Sequence, residues 1–286
     1  MKRILIAGKD SYVGTSFEKW VSRWPEKYQV DTLDTKGDWK TKSFEGYDVI
    51  FSVAGIAHVN AKKKMKSLYY KINRDLTIAL AKKAKQEKVK QFIFMSSLIV
   101  YGNSTPIGVK EYITKDTVPK PANFYGDSKL QAEKGIRPLQ SEDFNVVILR
   151  PPMIYGPGCK GNLPKLAKVA KYSPIFPDIE NERSMLYIDN LCEFVRLMID
   201  NEEKGIFFPQ NEETVCTTEL VKLLSEQQGK KIYKTKLFNP ILKLLSKKID
   251  YINKVFGNLL VSPLVSKYFS SDYDICKFKE SLKTII

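Results

Sequence analysis

Along the first half of the chain, short apolar runs alternate with stretches whose apolar residues recur at helical spacing. Ile4-Leu5-Ile6-Ala7, closed by Gly8, has the pattern of a strand buried on both faces. Val13, Phe17, Trp20, Val21 and Trp24 then repeat on one helical face until Pro25 stops them. Gln29–Leu33 and Asp48–Val53 read as strands, Ser67–Glu87 as a helix and Gln91–Met95 as a further strand. Tyr125–Arg137 has a helical pattern and Asn145–Leu149 is again strand-like. The alternation predicts an α/β fold: a doubly wound parallel sheet with helices on both faces.

Past Arg150 the pattern changes. Pro151, Pro152, Pro157 and Pro164 mark loops and a boundary. Asn162–Lys171 and Thr218–Gln227 read as helices and Ser184–Ile188 as a strand, with Asp189 placed to cap a helix running through Ile199. Ile241–Leu260 is basic and apolar-periodic. It reads either as a membrane-surface helix giving weak surface association or as packing inside a smaller C-terminal domain. The packed reading is preferred, because periodicity alone does not say what a helix lies on. No internal repeat or low-complexity tract is present.

At 286 residues the chain accommodates one large domain or two modest ones. Apolar residues at 43% and charged residues at 28% exclude general disorder and fibrous structure. Cys159, Cys192, Cys216 and Cys276 form no CxxC pair, which points away from a disulfide scaffold and toward a reducing cytoplasm. His58 is the single histidine, so no metal site is expected. The apolar run after Met1-Lys2-Arg3 is too short for a signal peptide, and the uncharged stretch Gln91–Val109 is too polar for a membrane span. The formal charge of +15 fits either a polyanion partner or a lysine-rich surface. Lysine is spread along the chain, with one dense block at Lys62-Lys63-Lys64-Met65-Lys66 and no interleaved aromatics, so no nucleic-acid partner is expected.

Three short motifs carry chemistry. Gly8-Lys9-Asp10-Ser11-Tyr12-Val13-Gly14 joins the first strand to the first helix. Glycine lets the backbone turn sharply and approach a pyrophosphate at the helix N-terminus, and Gly14 lets the helix pack closely. Ser11 replaces the middle glycine of the usual pattern. Asp34, 20 residues beyond Gly14, stands where a carboxylate hydrogen-bonds an adenosine ribose. Next, Tyr125-Gly126-Asp127-Ser128-Lys129 places a phenol and an ammonium at i and i+4 on one helix face. The ammonium is expected to lower the phenol pKa from about 10 toward neutrality, making Tyr125 a proton-transfer group. Finally, Met95-Ser96-Ser97-Leu98-Ile99-Val100-Tyr101-Gly102 closes a central strand, at the edge where open α/β sheets bind ligands.

In this order the motifs resemble the extended short-chain dehydrogenase/reductases of the nucleotide-sugar epimerase/dehydratase family. The resemblance covers nearly the whole chain and weakens after about residue 210. Ala54-Gly55 is similar to the segment lining the adenosine pocket, Asn73 to the helix asparagine near the cofactor, and Arg150–Gly158 to the nicotinamide-side loop that includes Pro152. The resemblance implies Ser97, Tyr125 and Lys129 as catalytic residues. It assigns Gly8, Ser11, Tyr12, Val13, Gly14, Asp34, Ala54, Gly55, Asn73, Tyr125, Lys129 and Pro152 to a cofactor. Ser97, Asn162 and Arg183 fall to a UDP-sugar substrate. The cofactor is NAD(H) or NADP(H); Asp34 tilts the choice to NAD(H), while Lys9 and Lys36 pull the other way. The implied division is a Rossmann-like domain over 1–158, rejoined by 184–208, and a mainly substrate-binding domain over 159–286. A homodimer is compatible with the resemblance without being required by it.

Within that family, 4,6-dehydratases need acid/base carboxylates just after the serine position, where Leu98 and Ile99 stand. Enzymes that invert C3 and C5 need a cysteine and a histidine that are missing from the matching places. Reduction of a 4-keto sugar and 4-epimerisation remain, alongside a binding-only role that the retained tyrosine and lysine disfavour. Leu149–Gly158, Gly161–Leu163 and Asn181–Asn190 resemble the C4-reductases of UDP-4-keto-6-deoxy-N-acetylhexosamines, which serve bacterial capsule and O-antigen synthesis.

Overall fold

The computed structural model describes residues 1–57, 63–268 and 273–285; His58 and Lys62 lie outside them. The chain divides into two compact units.

The first unit comprises residues 1–102, 119–151 and 188–209. At its centre is a six-stranded sheet whose strand pairs are all parallel. Strands β1 (Lys2–Ala7), β2 (Tyr28–Leu33), β3 (Val49–Ser52) and β4 (Gln91–Met95) are joined by strands Asn145–Leu149 and Gly205–Phe207. In spatial order the sheet runs Gly205–Phe207, Asn145–Leu149, β4, β3, β1, β2. The chain leaves β1 toward β2, then returns past it to β3, so a topological switch point lies between β1 and β3. Every residue of β3 and β4 is buried, because helices cover both faces. On one face Leu5, Ile50, Phe92, Phe94, Val146 and Ile148 pack with Leu80, Ala81, Ala84, Ala132 and Ile136. Gln91 and Ser52 are buried polar residues of this sheet, and the Gln91 amide donates to the carbonyls of Met198 and Glu203.

Helix α1 (Tyr12–Val21) stops three residues short of Trp24. The predicted helix Ser67–Glu87 is three segments: α2 (Lys66–Tyr69), a π-helical turn over Tyr70–Leu76, and α3 (Thr77–Gln86). Helix α4 (Phe124–Ile136) begins where the Asn123 side chain accepts the Gly126 amide. The helix after residue 187 spans Ile188–Asp200, with Asp189 in its first turn.

The second unit comprises residues 103–118, 152–187 and 210–286. It is knitted by short parallel pairs: Met153–Tyr155 with Met185–Tyr187, Ile175–Pro177 with Tyr233–Thr235, and Tyr112–Ile113 with Leu260–Val261. These pairings explain where the division departs from the sequence boundaries. Residues 103–118 and 152–158 group with the second unit because their strands pair there, and the segment returning to the first unit is 188–209. The predicted Ile241–Leu260 stretch consists of helices Asn239–Ser246 and Asp250–Phe256 followed by a strand. Its apolar residues divide: Phe256 and Leu260 are buried and Leu242, Ile252, Val255 and Leu259 half-buried, as the packed reading expects, while Ile241, Leu244, Leu245, Ile249 and Tyr251 are exposed. Among the described residues no helix is long and apolar enough to cross a membrane.

Candidate active site

Parallel strands put everything that follows them at one edge, so Gly8 after β1, Asp34 after β2, Ala54 after β3 and Ser97 after β4 share the carboxyl edge of the first unit's sheet. Gly8 has φ +132°, and a Cβ there would stand 2.8 Å from the Ala54 nitrogen; only glycine fits this turn. Asp10, at φ +61°, completes the bend. Ser11 departs from the glycine pattern without disturbing the turn. Its backbone is extended and its hydroxyl accepts the Gly14 amide at 3.1 Å, capping α1. Gly14 lets α1 sit close, since a Cβ would meet Ile6 at 2.9 Å. Tyr12 and Val13 form the first turn beyond the cap, where helical N–H groups face outward. Asp34 is exposed, with one carboxylate oxygen accepting the Lys36 amide at 2.9 Å.

The π-helical turn has a visible role. It carries Asn73, fully buried, whose carboxamide accepts from the Ile56 nitrogen at 2.8 Å and donates to the Ile56 carbonyl and the Ser128 hydroxyl. Asn73 thereby fixes the segment after β3 against α4. A Cβ on Gly55 would lie 3.2 Å from both the Asn73 oxygen and the Lys129 ammonium. This close-walled cradle, together with the Gly8 turn and the carboxylate after β2, fits a dinucleotide laid along the sheet edge.

Ser97 and Tyr125 are brought near one another, close enough for the serine to pull the phenol pKa downward, while the serine hydroxyl accepts the Ile99 amide at 3.3 Å. Lys129, one turn further along α4, donates to the Met95 carbonyl at 2.7 Å and stands over the Phe94 ring. The expected lowering of the tyrosine does not occur. Burial pushes the Tyr125 phenol up to about 12, against a smaller downward pull from Ser97, and burial pushes Lys129 down to about 8. Both groups share a face of α4, but the ammonium is drawn to a backbone carbonyl, and desolvation outweighs charge.

Glu133 was not singled out from the sequence, although it continues the Tyr125–Lys129 spacing by one more turn, and Arg150 entered only as the first residue of the nicotinamide-side loop. Both are buried and ion-paired, with Ser96 donating to the Glu133 carboxylate and the Arg150 guanidinium donating to the Tyr101 hydroxyl. Glu133 pulls the Lys129 pKa upward against the larger effect of burial. The other nearby carboxylate, Asp127, accepts from Tyr70 and Gln131.

In the second unit, Asn162 and Arg183 line one cavity of about 210 Å³ with Lys165, Phe176, Tyr251 and Lys254. Arg183 donates to the Gly257 carbonyl at 2.9 Å and to the Ser104 hydroxyl at 3.2 Å. Burial alone lowers its guanidinium to about 10. A half-buried cation that, among the described residues, has no carboxylate partner suits an incoming anion. Pro152 is buried just ahead of strand Met153–Tyr155 in the same unit.

The family model described as "NAD dependent epimerase/dehydratase family" matches residues 6–208. A UDP-glucose 4-epimerase of Vibrio cholerae is 30% identical, with 91% of this chain and 87% of that protein covered. The N-acetyl-alpha-D-glucosaminyl-diphospho-ditrans,octacis-undecaprenol 4-epimerase of Escherichia coli O157:H7 is 26% identical, covering 96% and 85%. Among solved structures, UDP-glucuronic acid 4-epimerase from Bacillus cereus in complex with NAD has a TM-score of 0.74 at 17% identity, covering 99% and 97%. At that identity the likeness speaks for the fold alone.

Proposed function

The chain belongs to the NAD dependent epimerase/dehydratase family, and from that premise we propose that it is a cytoplasmic C4-reductase of a UDP-2-acetamido-2,6-dideoxy-4-hexulose. Its product is UDP-N-acetyl-D-fucosamine or UDP-N-acetyl-D-quinovosamine for a surface polysaccharide. The enzyme class is an NAD(P)-dependent nucleotide-sugar enzyme of the extended short-chain dehydrogenase/reductase type. The observation that carries the reading is the set of proton-transfer groups around Ser97. Leu98 and Ile99 follow the serine, and the neighbouring carboxylates Asp127 and Glu133 are each held by two partners. Among the described residues, neither of these two carboxylates is left free for dehydration or for removing a carbon-bound proton.

When bound along the sheet edge, the nicotinamide supplies reducing equivalents to the sugar C4. Tyr125 gives its phenolic proton to the C4 oxygen. Held up at about 12, it is protonated at neutral pH, the state a proton donor in reduction requires. Ser97 hydrogen-bonds the same oxygen and orients the phenol. Lys129, near the cradle of Gly55 and Asn73, stabilises the phenolate that remains and holds ribose hydroxyls. Asp34 takes the adenosine ribose. Arg183 pairs with the substrate diphosphate, and Asn162 lies beside it in the same cavity.

The 4-epimerase relatives favour a second reading, NAD-dependent 4-epimerisation by the same three residues. A single assay separates the two. The reductase consumes reduced nicotinamide in proportion to added UDP-4-keto-6-deoxy-N-acetylhexosamine, and product stereochemistry is read by NMR. Interconversion of UDP-N-acetylglucosamine and UDP-N-acetylgalactosamine without added reductant would establish the epimerase instead.

A further inference from the structure

The helix Asn239–Ser246 is turned inside out. Its inward positions are Asn239, Leu242 and Ser246; Asn239 donates to the Asp178 carbonyl, and the Ser246 carbonyl accepts from Asn253. Its outward stripe, continued from the preceding turn, is Leu237, Ile241, Leu244 and Leu245, spaced i, i+4, i+7 and i+8. Leu237 is 76% exposed, Ile241 61% and Leu244 67%. A helix that packs its polar side inward and offers leucine and isoleucine to water is the reverse of the usual arrangement. Phe238, Ile249 and Tyr251 are further exposed apolar residues of the same segment.

Charge identifies what covers it. Residues 236–254 hold five lysines (Lys236, Lys243, Lys247, Lys248 and Lys254) against one acid, Asp250. All five are exposed, and among the described residues none forms an ion pair. Asp250 instead accepts from the Asn103 side chain. An apolar stripe flanked by unpaired lysines complements a bilayer surface carrying anionic headgroups: the stripe enters the acyl boundary and the ammoniums stay at headgroup level. A second copy of this chain would bring the same lysines against one another. We infer that the Lys236–Lys254 segment docks the protein on an anionic membrane surface. Ser97, Tyr125 and Lys129 lie outside this segment, whereas Tyr251 and Lys254 also line the Asn162–Arg183 cavity; on the function proposed above, docking holds the enzyme where membrane-bound glycan assembly consumes sugar nucleotides.

The test is co-sedimentation of the full chain with vesicles of pure phosphatidylcholine or with about 30 mol % phosphatidylglycerol, in about 0.1 M salt. Binding to the anionic vesicles is expected to be at least about 10-fold tighter and to weaken steeply as salt rises. Leu237→Ser/Ile241→Ser/Leu244→Ser and, separately, Lys243→Glu/Lys247→Glu/Lys248→Glu should each reduce it at least about 10-fold, with circular dichroism unchanged. The salt titration of the unmodified protein tests the proposal even where a variant folds poorly. Equal partition of wild type into both vesicle types, or salt-independent binding, overturns it. So does a concentration-dependent dimer that the serine variant splits while vesicles bind neither form, since a second copy would then cover the face.

Discussion

Replacing Lys129 with methionine should change the pH dependence of stability in a direction set by the burial of its ammonium. The residue is 5% exposed, and burial lowers it from the ordinary 10.5 to about 8. Between those values the unfolded chain still carries a proton that the folded chain has released. Folding stability therefore rises with pH across that window, and the cost of the buried ammonium is fullest below pH 8. That cost is about 3 kcal/mol at neutral pH and falls by about 2 kcal/mol by about pH 9.5. Methionine removes the titration but strands the Met95 carbonyl, a loss of roughly 1–3 kcal/mol that does not vary with pH. The variant should thus be close to wild type or somewhat more stable at pH 7, and lose about 2 kcal/mol relative to wild type at pH 9.5. Urea denaturation of both proteins at the two pH values measures the difference. Parallel profiles would refute the buried-ammonium account, whatever the variant's absolute stability. The same variant should lose turnover, because the phenolate left on Tyr125 has no neighbouring cation.

Other expectations concern separate parts of the site. Tyr125→Phe removes the proton donor but keeps the ring packed against Tyr69, so turnover should fall at least about 10²-fold while dinucleotide binding, followed by calorimetry, survives. Wild type should use NADH at least as well as NADPH because the Asp34 carboxylate repels a 2′-phosphate, and Asp34→Ser should shift the ratio of kcat/KM toward NADPH. A wild-type preference for NADPH above about 100-fold, nearly 3 kcal/mol, would show that Lys9 and Lys36 dominate. Gly8→Ala places a Cβ 2.8 Å from the Ala54 nitrogen at φ +132° and should cost more than about 1 kcal/mol in thermal unfolding together with dinucleotide affinity. Arg150→Met leaves Glu133 buried without its cation and should destabilise by about 3–5 kcal/mol; the double variant with Glu133→Gln should recover much of that, and additive losses would deny the coupling.

How much of this was legible in the sequence depends on how local each feature is. β1, β3, β4 and Asn145–Leu149 announce themselves as apolar runs because strands buried on both faces need no alternation. Their order also places Gly8, Asp34 and Ser97 on one edge before any coordinates. The second unit was far less readable. Its strands are two or three residues long and pair with partners far away in sequence, as Tyr112–Ile113 does with Leu260–Val261, so no local pattern marks them. The π-helical turn escaped detection for a different reason. Asn73 reaches Ile56 only through a tertiary contact, and the spacing of Ser67–Glu87 is satisfied by an ordinary helix. Asp189 marked the start of its helix to within one residue, since the helix spans Ile188–Asp200. Apolar periodicity in 241–260 correctly signalled helix but was silent on which face turns inward.

Charge burial separates structural from chemical roles more sharply than any motif does. In the first unit, Glu133 and Arg150 compensate each other, and Ser96 and Tyr101 occupy further hydrogen-bonding positions around them. Such a pair costs little once formed and holds the ends of β4 and Asn145–Leu149 to α4. Lys129 and Arg183 are different. For each, burial is the dominant influence and lowers the pKa, to about 8 and about 10, and each donates to backbone carbonyls instead of forming a salt bridge. Carbonyl dipoles return only part of the desolvation cost of a cation, so both positions hold charge at the expense of stability. That arrangement is intelligible where an electron-rich group completes the solvation: a phenolate and ribose hydroxyls at Lys129, a diphosphate at Arg183. The lysines of 236–254 are surrounded by water and bear no such cost, which is why their argument rests on complementarity to a surface and not on burial.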